Sequence, residues 1–324
     1  MQPSSLTLPR FAATIAALLA CLSVLNLAVV RLTRNSVPRQ VLARAARSAS
    51  ADTLALGNSL IAAGFDPAAF VKGEQLPGNR GAVNLGLGAS NPVEHLLLLR
   101  AALRAGAQPR TLIYGFYDLQ LTAPITLSTH ELFGNHAMLY YTEPEYGRQF
   151  FYLSLHDRIE FALMRHFPMT VDRGAIWAKI ELFRRKLAEQ GLQRQETNRF
   201  GNVADFSQLE APEAAQFARD CAAQRAQDFN SAVREIFRQA LASGARVVVV
   251  ELPIHPYHVA TFYHTPEWRQ YASAMRQKLA AENISFIDAS EWIPAETDFA
   301  DHLHLTEQGA VQFSERLGTQ LRRQ

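Results

Sequence analysis

The chain is poor in the residues that announce several common functions. It has two cysteines in 324 residues, Cys21 and Cys221, in unrelated contexts. That excludes a disulfide framework or a multi-cysteine zinc site. It has no excess of either charge, with 32 basic against 30 acidic residues, 19% charged and 48% hydrophobic overall. Neither charge-driven disorder nor a polyanion-binding surface is indicated by that balance, and no nucleic-acid partner is expected. No period of 20 to 50 residues repeats, so a solenoid is excluded. No Gly-x-Ser-x-Gly occurs, which removes the nucleophile elbow of the α/β-hydrolases. Gly86-Leu87-Gly88-Ala89-Ser90-Asn91 lacks the third glycine and the later acid of a dinucleotide fingerprint. The histidines at His255, His258 and His264 have no Asp, Glu or Cys at recognised ligand spacing. No cofactor and no metal is expected, and chemistry falls to Ser, His and carboxylates.

What is present begins with an apolar run. Phe11 to Val30 carries no charge and is bracketed by Arg10 and Arg31. Twenty helical residues span about 30 Å, the thickness of a bilayer's hydrocarbon core. The expected layout is a tail at 1–10, a transmembrane anchor at 11–31, an Arg-rich linker at 32–51 and a domain at 52–324. Leu18-Leu19-Ala20-Cys21 also resembles a lipobox, which would place a lipid on Cys21, yet the apolar run continues nine residues beyond it. Arg31, Arg34, Arg39, Arg44 and Arg47 come after the run with no acid before Asp52. The positive-inside bias puts the next domain in the cytoplasm; alternatively these arginines form a collar on anionic headgroups.

After the anchor, short apolar runs at 52–57, 82–87, 111–116, 246–252 and 284–288 read as strands. Helical patterns fill 91–105, 214–242, 266–281 and 306–322. Strands apolar on both faces and alternating with helices predict a parallel sheet covered on both sides, an α/β sandwich. Residues 119–206 break the alternation and read as a helical insertion. Its Phe150, Phe151, Tyr152, Phe161 and Trp177 are candidates for a lid or apolar groove, with ordinary packing as the alternative.

Two blocks carry chemistry. Gly57-Asn58-Ser59 comes just after the first strand, where a serine opening a helix has an exposed hydroxyl and a free backbone N–H. Asp301-His302-Leu303-His304 precedes the last helix. A serine nucleophile needs an imidazole to take its proton, and the imidazole needs a carboxylate to hold it. His304 and Asp301 are candidates for that pair. Helix capping by Ser59 and a chance Asp-x-x-His are the alternatives.

In these blocks the chain resembles the SGNH (GDSL-like) hydrolase superfamily, whose first block is Gly-Asp-Ser or a variant and whose last is Asp-x-x-His. The resemblance implies a flavodoxin-like three-layer α/β/α sandwich. It implies Ser59 as nucleophile, His304 as base, Asp301 as its orienter, and an oxyanion hole from Ser59 and a glycine, Gly88 in preference to Gly86. The family's Gly-x-Asn-Asp reads Gly115-Phe116-Tyr117-Asp118 here, so Tyr117 replaces an oxyanion donor, with its own phenol or Asn91 as substitutes. An anchor before such a domain resembles the D-alanyl-transfer and alginate O-acetylation proteins. That implies a single-pass protein of the inner membrane facing the periplasm or exterior, against the arginine count. It further implies a serine O-acyltransferase or esterase that passes an acyl group from an ester donor to a carbohydrate or polymer hydroxyl or to water, with a multi-span membrane acyltransferase as a candidate partner. A catalytically weak accessory subunit is the alternative.

Overall fold

A computed structural model describes residues 8–75, 81–125, 136–143, 145, 149–150, 154–170, 172, 176–177, 180, 183–184 and 214–324. The chain divides into two compact units, Met1–Gln40 with Leu127–Gln190, and Val41–Thr126 with Gly191–Gln324.

The smaller unit holds helix α1, Leu8–Thr33, long and apolar enough over Arg10–Thr33 to cross a membrane. Helix α2, Val37–Ala45, starts in the Arg-rich stretch. The insertion contributes helix α6, Ala137–Thr142, and helix α7, Leu155–His166, which Ser154 opens with a capping box to Asp157. Leu139, Tyr140, Phe161 and Met164 are buried. Of the insertion's aromatics, Phe161 is thus a core residue and Trp177 is exposed, whereas Phe151 and Tyr152 lie outside the described residues.

The larger unit is the expected α/β fold. Strands β1 (Ala51–Leu56), β2 (Gly81–Asn84), β3 (Thr111–Phe116), β4 (Arg246–Glu251) and β5 (Ser285–Asp288) form one parallel sheet in the order β2-β1-β3-β4-β5. That is the flavodoxin-like order, with its switch point between β1 and β3. The central strands are buried along both faces, as their unbroken apolar runs require. Helices α3 (Ser59–Gly64), α4 (Pro67–Glu74), α5 (Pro92–Arg104), α8 (Ala214–Gln224), α9 (Ser231–Ala242), α10 (Pro266–Ala281) and α11 (Glu307–Arg322) make the connections. The continuous helix expected over 214–242 is two helices. Asn230 breaks it by accepting from Val233 N–H (3.0 Å) as the cap of α9, while its amide donates to the Gln120 carbonyl at 3.0 Å.

One short helix is held unusually close to the sheet. A Cβ on Gly86 would lie 2.3 Å from Ala62 N, one on Gly57 2.9 Å from the Gly115 carbonyl, and one on Gly115 2.4 Å from Ile61. Helix α3 therefore rests with its backbone on Gly86 and with the Ile61 side chain on Gly57 and Gly115. Asn84, 7% exposed, fastens it: its amide donates to the carbonyls of Ile61 (2.9 Å) and Phe65 (2.7 Å), and its oxygen accepts from Gly86 N–H (2.8 Å). The Phe65 carbonyl is one that a helix end leaves open, and the Ile61 carbonyl accepts the Asn84 amide in addition to the Phe65 N–H. Gly86→Ala forces backbone against backbone and is expected to lower the unfolding free energy by about 1–3 kcal/mol. Gly81→Ala, where a Cβ meets nothing within 4 Å, is expected to change it by less than about 0.5 kcal/mol. Urea titration of the detergent-solubilised chain compares the two.

Candidate active site

Helix α3 carries Ser59 as its first residue, immediately beyond the carboxyl end of β1. Asn58 caps it, its side-chain oxygen accepting from Leu60 N–H at 2.9 Å. The capping role therefore belongs to Asn58, and the Ser59 hydroxyl is left for other work. Neither the Ser59 N–H nor its Oγ has a hydrogen-bond partner among the described residues, and the side chain is partly exposed. The Asn58 amide leans toward Gln120 Oε1 at 3.4 Å, linking this turn to the one after β3.

Asp301 and His304 are together. His304 Nδ1 lies 2.8 Å from Asp301 Oδ2, and Asp301 Oδ1 accepts from the N–H groups of Leu303 (2.8 Å) and His304 (2.7 Å). Burial by itself raises the Asp301 carboxyl, but the hydrogen bond and charge of His304 and those two N–H groups outweigh it and hold it below its ordinary range. An ionised Asp301 fixes the proton on Nδ1 and turns Nε2 into the acceptor. The loop is tied to the serine's helix. Leu305 packs 3.4 Å from the Cβ position of Gly64, at the far end of α3, and Ser314 of α11 donates to the Gly64 carbonyl at 3.2 Å. No hydrogen bond joins Ser59 Oγ to His304 Nε2 in this structure.

The loop after β2 gives its two glycines different work. Gly86 is consumed by close packing on α3, and its N–H is spent on Asn84. The Gly88 N–H has no acceptor among the described residues and stands two residues nearer the loop tip. Ser90 holds that loop through the buried His95, with Oγ 2.8 Å from Nε2 and Nδ1 3.2 Å from the Tyr114 hydroxyl. This second Ser–His contact has a phenol where a catalytic base needs a carboxylate, and Ser90 Oγ donates to the Leu87 carbonyl. Asn91, a candidate substitute as oxyanion donor, caps α5 through its side-chain oxygen, which accepts from the N–H groups of Val93 and Glu94. Burial, reinforced by the Asp118 charge, pushes the Tyr117 phenol up, so it stays protonated and able to donate.

A second carboxylate–imidazole pair was not foreseen from the sequence. Asp118 accepts from His258 Nε2 (3.2 Å) and from the Tyr263 hydroxyl (2.9 Å), while its own N–H donates to that hydroxyl at 2.8 Å. Asp118 has a φ of 48°, a left-handed conformation costly for a residue with a Cβ, and the reciprocal bonds to Tyr263 hold it there. His258 and Tyr263 come from the segment after β4, where the backbone winds into a π-helical turn over Val259–Tyr263. Such turns concentrate at functional sites, but only the sequence neighbours His255 and His258 hinted at this one. His255 caps that segment, Nδ1 accepting from Tyr257 N–H at 3.2 Å, and its N–H donates to the His302 carbonyl at 3.3 Å. Burial lowers both His255 and His302, so neither carries a proton's charge at neutral pH. His264 pairs with Glu291 at 2.9 Å, and among the described residues no group of three or more His, Cys, Asp or Glu is arranged to hold a metal.

At the end of β4, Glu251 is 1% exposed and has no hydrogen-bond partner for either carboxyl oxygen among the described residues. Burial, with Asp288 adding to it, pushes its carboxyl well above the ordinary range. The folded state therefore keeps a proton that the unfolded chain releases above about pH 4.3, and this contribution to stability falls as pH rises. Glu251→Gln is expected to unfold at higher urea than wild type at about pH 7.5, and to lose that advantage by about pH 4.

A protein-family model matches residues 223–324, the part containing β4, β5 and the Asp301–His304 loop. A search of curated proteins found no match. Among solved structures, a Bacteroides fragilis protein assigned as an acylhydrolase is 11% identical, with TM-score 0.37, over 85% of this chain and 86% of its own. One from Agrobacterium tumefaciens assigned as an arylesterase is 12% identical, with TM-score 0.35, over 84% of this chain and 98% of its own. Likenesses at such low identity and score carry no argument about chemistry.

Proposed function

We propose that the chain is an SGNH-type serine esterase or O-acyltransferase, anchored by α1 in the inner membrane, that acts on acyl esters of cell-envelope carbohydrate or polymer. The observation that carries this reading is the hydrogen-bonded Asp301–His304 pair on a loop packed against the helix that begins with Ser59. The Ser59 and Gly88 N–H groups, which have no acceptor among the described residues, support it, because an oxyanion needs preorganised donors that bind nothing else.

The reaction has two halves. Ser59 Oγ attacks the donor's carbonyl carbon while His304 Nε2 takes the hydroxyl proton, and Asp301 stabilises the imidazolium. The N–H groups of Ser59 and Gly88, with the protonated Tyr117 phenol, hold the negative charge on the carbonyl oxygen. His304 then gives its proton to the leaving alcohol, leaving an acyl group on Ser59. In the second half, water or an acceptor hydroxyl attacks the acyl-serine, with His304 again as base. A dry, closed acceptor site favours transfer over hydrolysis.

A catalytically weak subunit that binds polysaccharide or a multi-span acyltransferase is the second reading, favoured by Tyr117 at the usual asparagine position. A fluorophosphonate probe separates them. Under the first reading the probe labels the full chain on the peptide containing Ser59, and Ser59→Ala or His304→Ala reduces labelling by at least about 10³-fold. Labelling on Ser90, or none, contradicts it.

A further inference from the structure

The smaller unit exposes apolar side chains in a pattern that water does not favour. On α7, Leu155, Ile159 and Leu163 are 75%, 54% and 52% exposed. Their spacing of four residues puts them along one stripe. The opposite side of the same helix carries the buried Phe161 and Met164. A helix packed on one side normally turns polar residues outward, and this one turns out a second apolar stripe. Trp177, Ile180 and Phe183, spaced by three in helical backbone, are also exposed. Among the described residues of the larger unit, Leu241, Tyr257 and Val311 are the exposed large apolar ones, and they are scattered.

The chain just after α7 is tied to α1. Directly after α7, the Met169 N–H donates to Asn26 Oδ1 at 3.0 Å, and Asp172 Oδ2 accepts from the Thr33 hydroxyl and from Arg39 Nη2, each at 2.6 Å. Asn26 lies seven residues inside the carboxyl end of α1, about 10 Å of helix. The segment after α7 is thus pinned to the last two turns of α1, which in a spanning helix is the depth where hydrocarbon gives way to headgroups. Asp172, 4% exposed and bonded to both partners, makes the attachment specific.

We propose that α7 lies in the membrane interface as a second, monotopic attachment, with Leu155, Ile159 and Leu163 inserted among the lipids that surround α1. The occupant of the stripe is the bilayer. The inference rests on α1 spanning a membrane, and on the tie between the segment just after α7 and the last two turns of α1 through Asn26 and Asp172. Helices of this type bury their apolar face about 5–10 Å into the boundary of headgroups and acyl chains. The chain then grips one leaflet at two places, which fixes its rotation about α1 as a single helix cannot.

Site-directed spin labelling of the full chain in vesicles of phosphatidylethanolamine and phosphatidylglycerol tests this. In a Cys21→Ala, Cys221→Ala background, labels are placed by Ile159→Cys, Leu163→Cys, Leu25→Cys within α1, and Leu241→Cys in the larger unit. Collision with oxygen, which concentrates in lipid, is compared with collision with a water-soluble nickel chelate. The expected result is a several-fold preference for oxygen at Ile159, Leu163 and Leu25, and for nickel at Leu241. Nickel preference at Ile159 and Leu163 with oxygen preference kept at Leu25 overturns the second attachment and leaves the anchor standing. Nickel preference at Leu25 overturns the anchor and this inference with it. Shielding of Ile159 and Leu163 from both reagents overturns it too, in favour of a protein partner or a second copy on the stripe.

Discussion

Everything at the candidate site depends on how closely α3 is laid against the ends of β1, β2 and β3. Gly57, Gly86 and Gly115 remove the side chains that would keep it away, and Asn84 bonds its last carbonyls to the strand below. A helix of six residues has little stability of its own. Its position is therefore set by the sheet, and so is the position of Ser59. The same closeness delivers the turn after β1 to the loop after β2 and the turn after β3, the switch point at which flavodoxin-like sheets bind ligands.

Around this seat two carboxyl groups sit in contrasting environments. Asp301 is surrounded by donors and stays ionised, and it orients the His304 imidazole. Glu251, with no donor to its carboxyl among the described residues, is driven to its neutral form. These two carboxyls thus take opposite protonation behaviour from their hydrogen-bond partners and not from their residue type. Asp118 shows the structural use of the same kind of bond, since His258 and Tyr263 hold it in a strained backbone conformation. His302 and His255, neutral through burial, add no charge that would compete for Asp301.

The sheet was legible because buried parallel strands write themselves as continuous apolar runs, and VVVV before Glu251 admits no other reading. The Ser59 and Asp301–His304 blocks were legible because each is local, a few residues with a fixed order. The break at Asn230 was not, because its amide bond reaches Gln120, 110 residues away. The Asp118–His258–Tyr263 cluster was hidden for the same reason, since the separation from Asp118 to its partners is 140 and 145 residues. The meaning of Gly86 was also hidden: sequence shows that a glycine is present, and only packing shows that one glycine makes room for a helix while the N–H of nearby Gly88 has no acceptor among the described residues. The apolar outer side of the insertion was concealed by aromatics that suggested a lid, whereas its exposed stripe on α7 is aliphatic.

Ser59 and His304 are proposed to act as one unit although no hydrogen bond joins them in this structure. A double-mutant cycle on p-nitrophenyl acetate turnover by the full chain probes this coupling, with Ser59→Ala, His304→Ala and the two combined. Residues that share one proton transfer lose their contribution together. Each single change is expected to remove nearly all turnover above background, and the double change to remove no more. Losses that multiply, or substantial turnover by Ser59→Ala, would contradict the shared role.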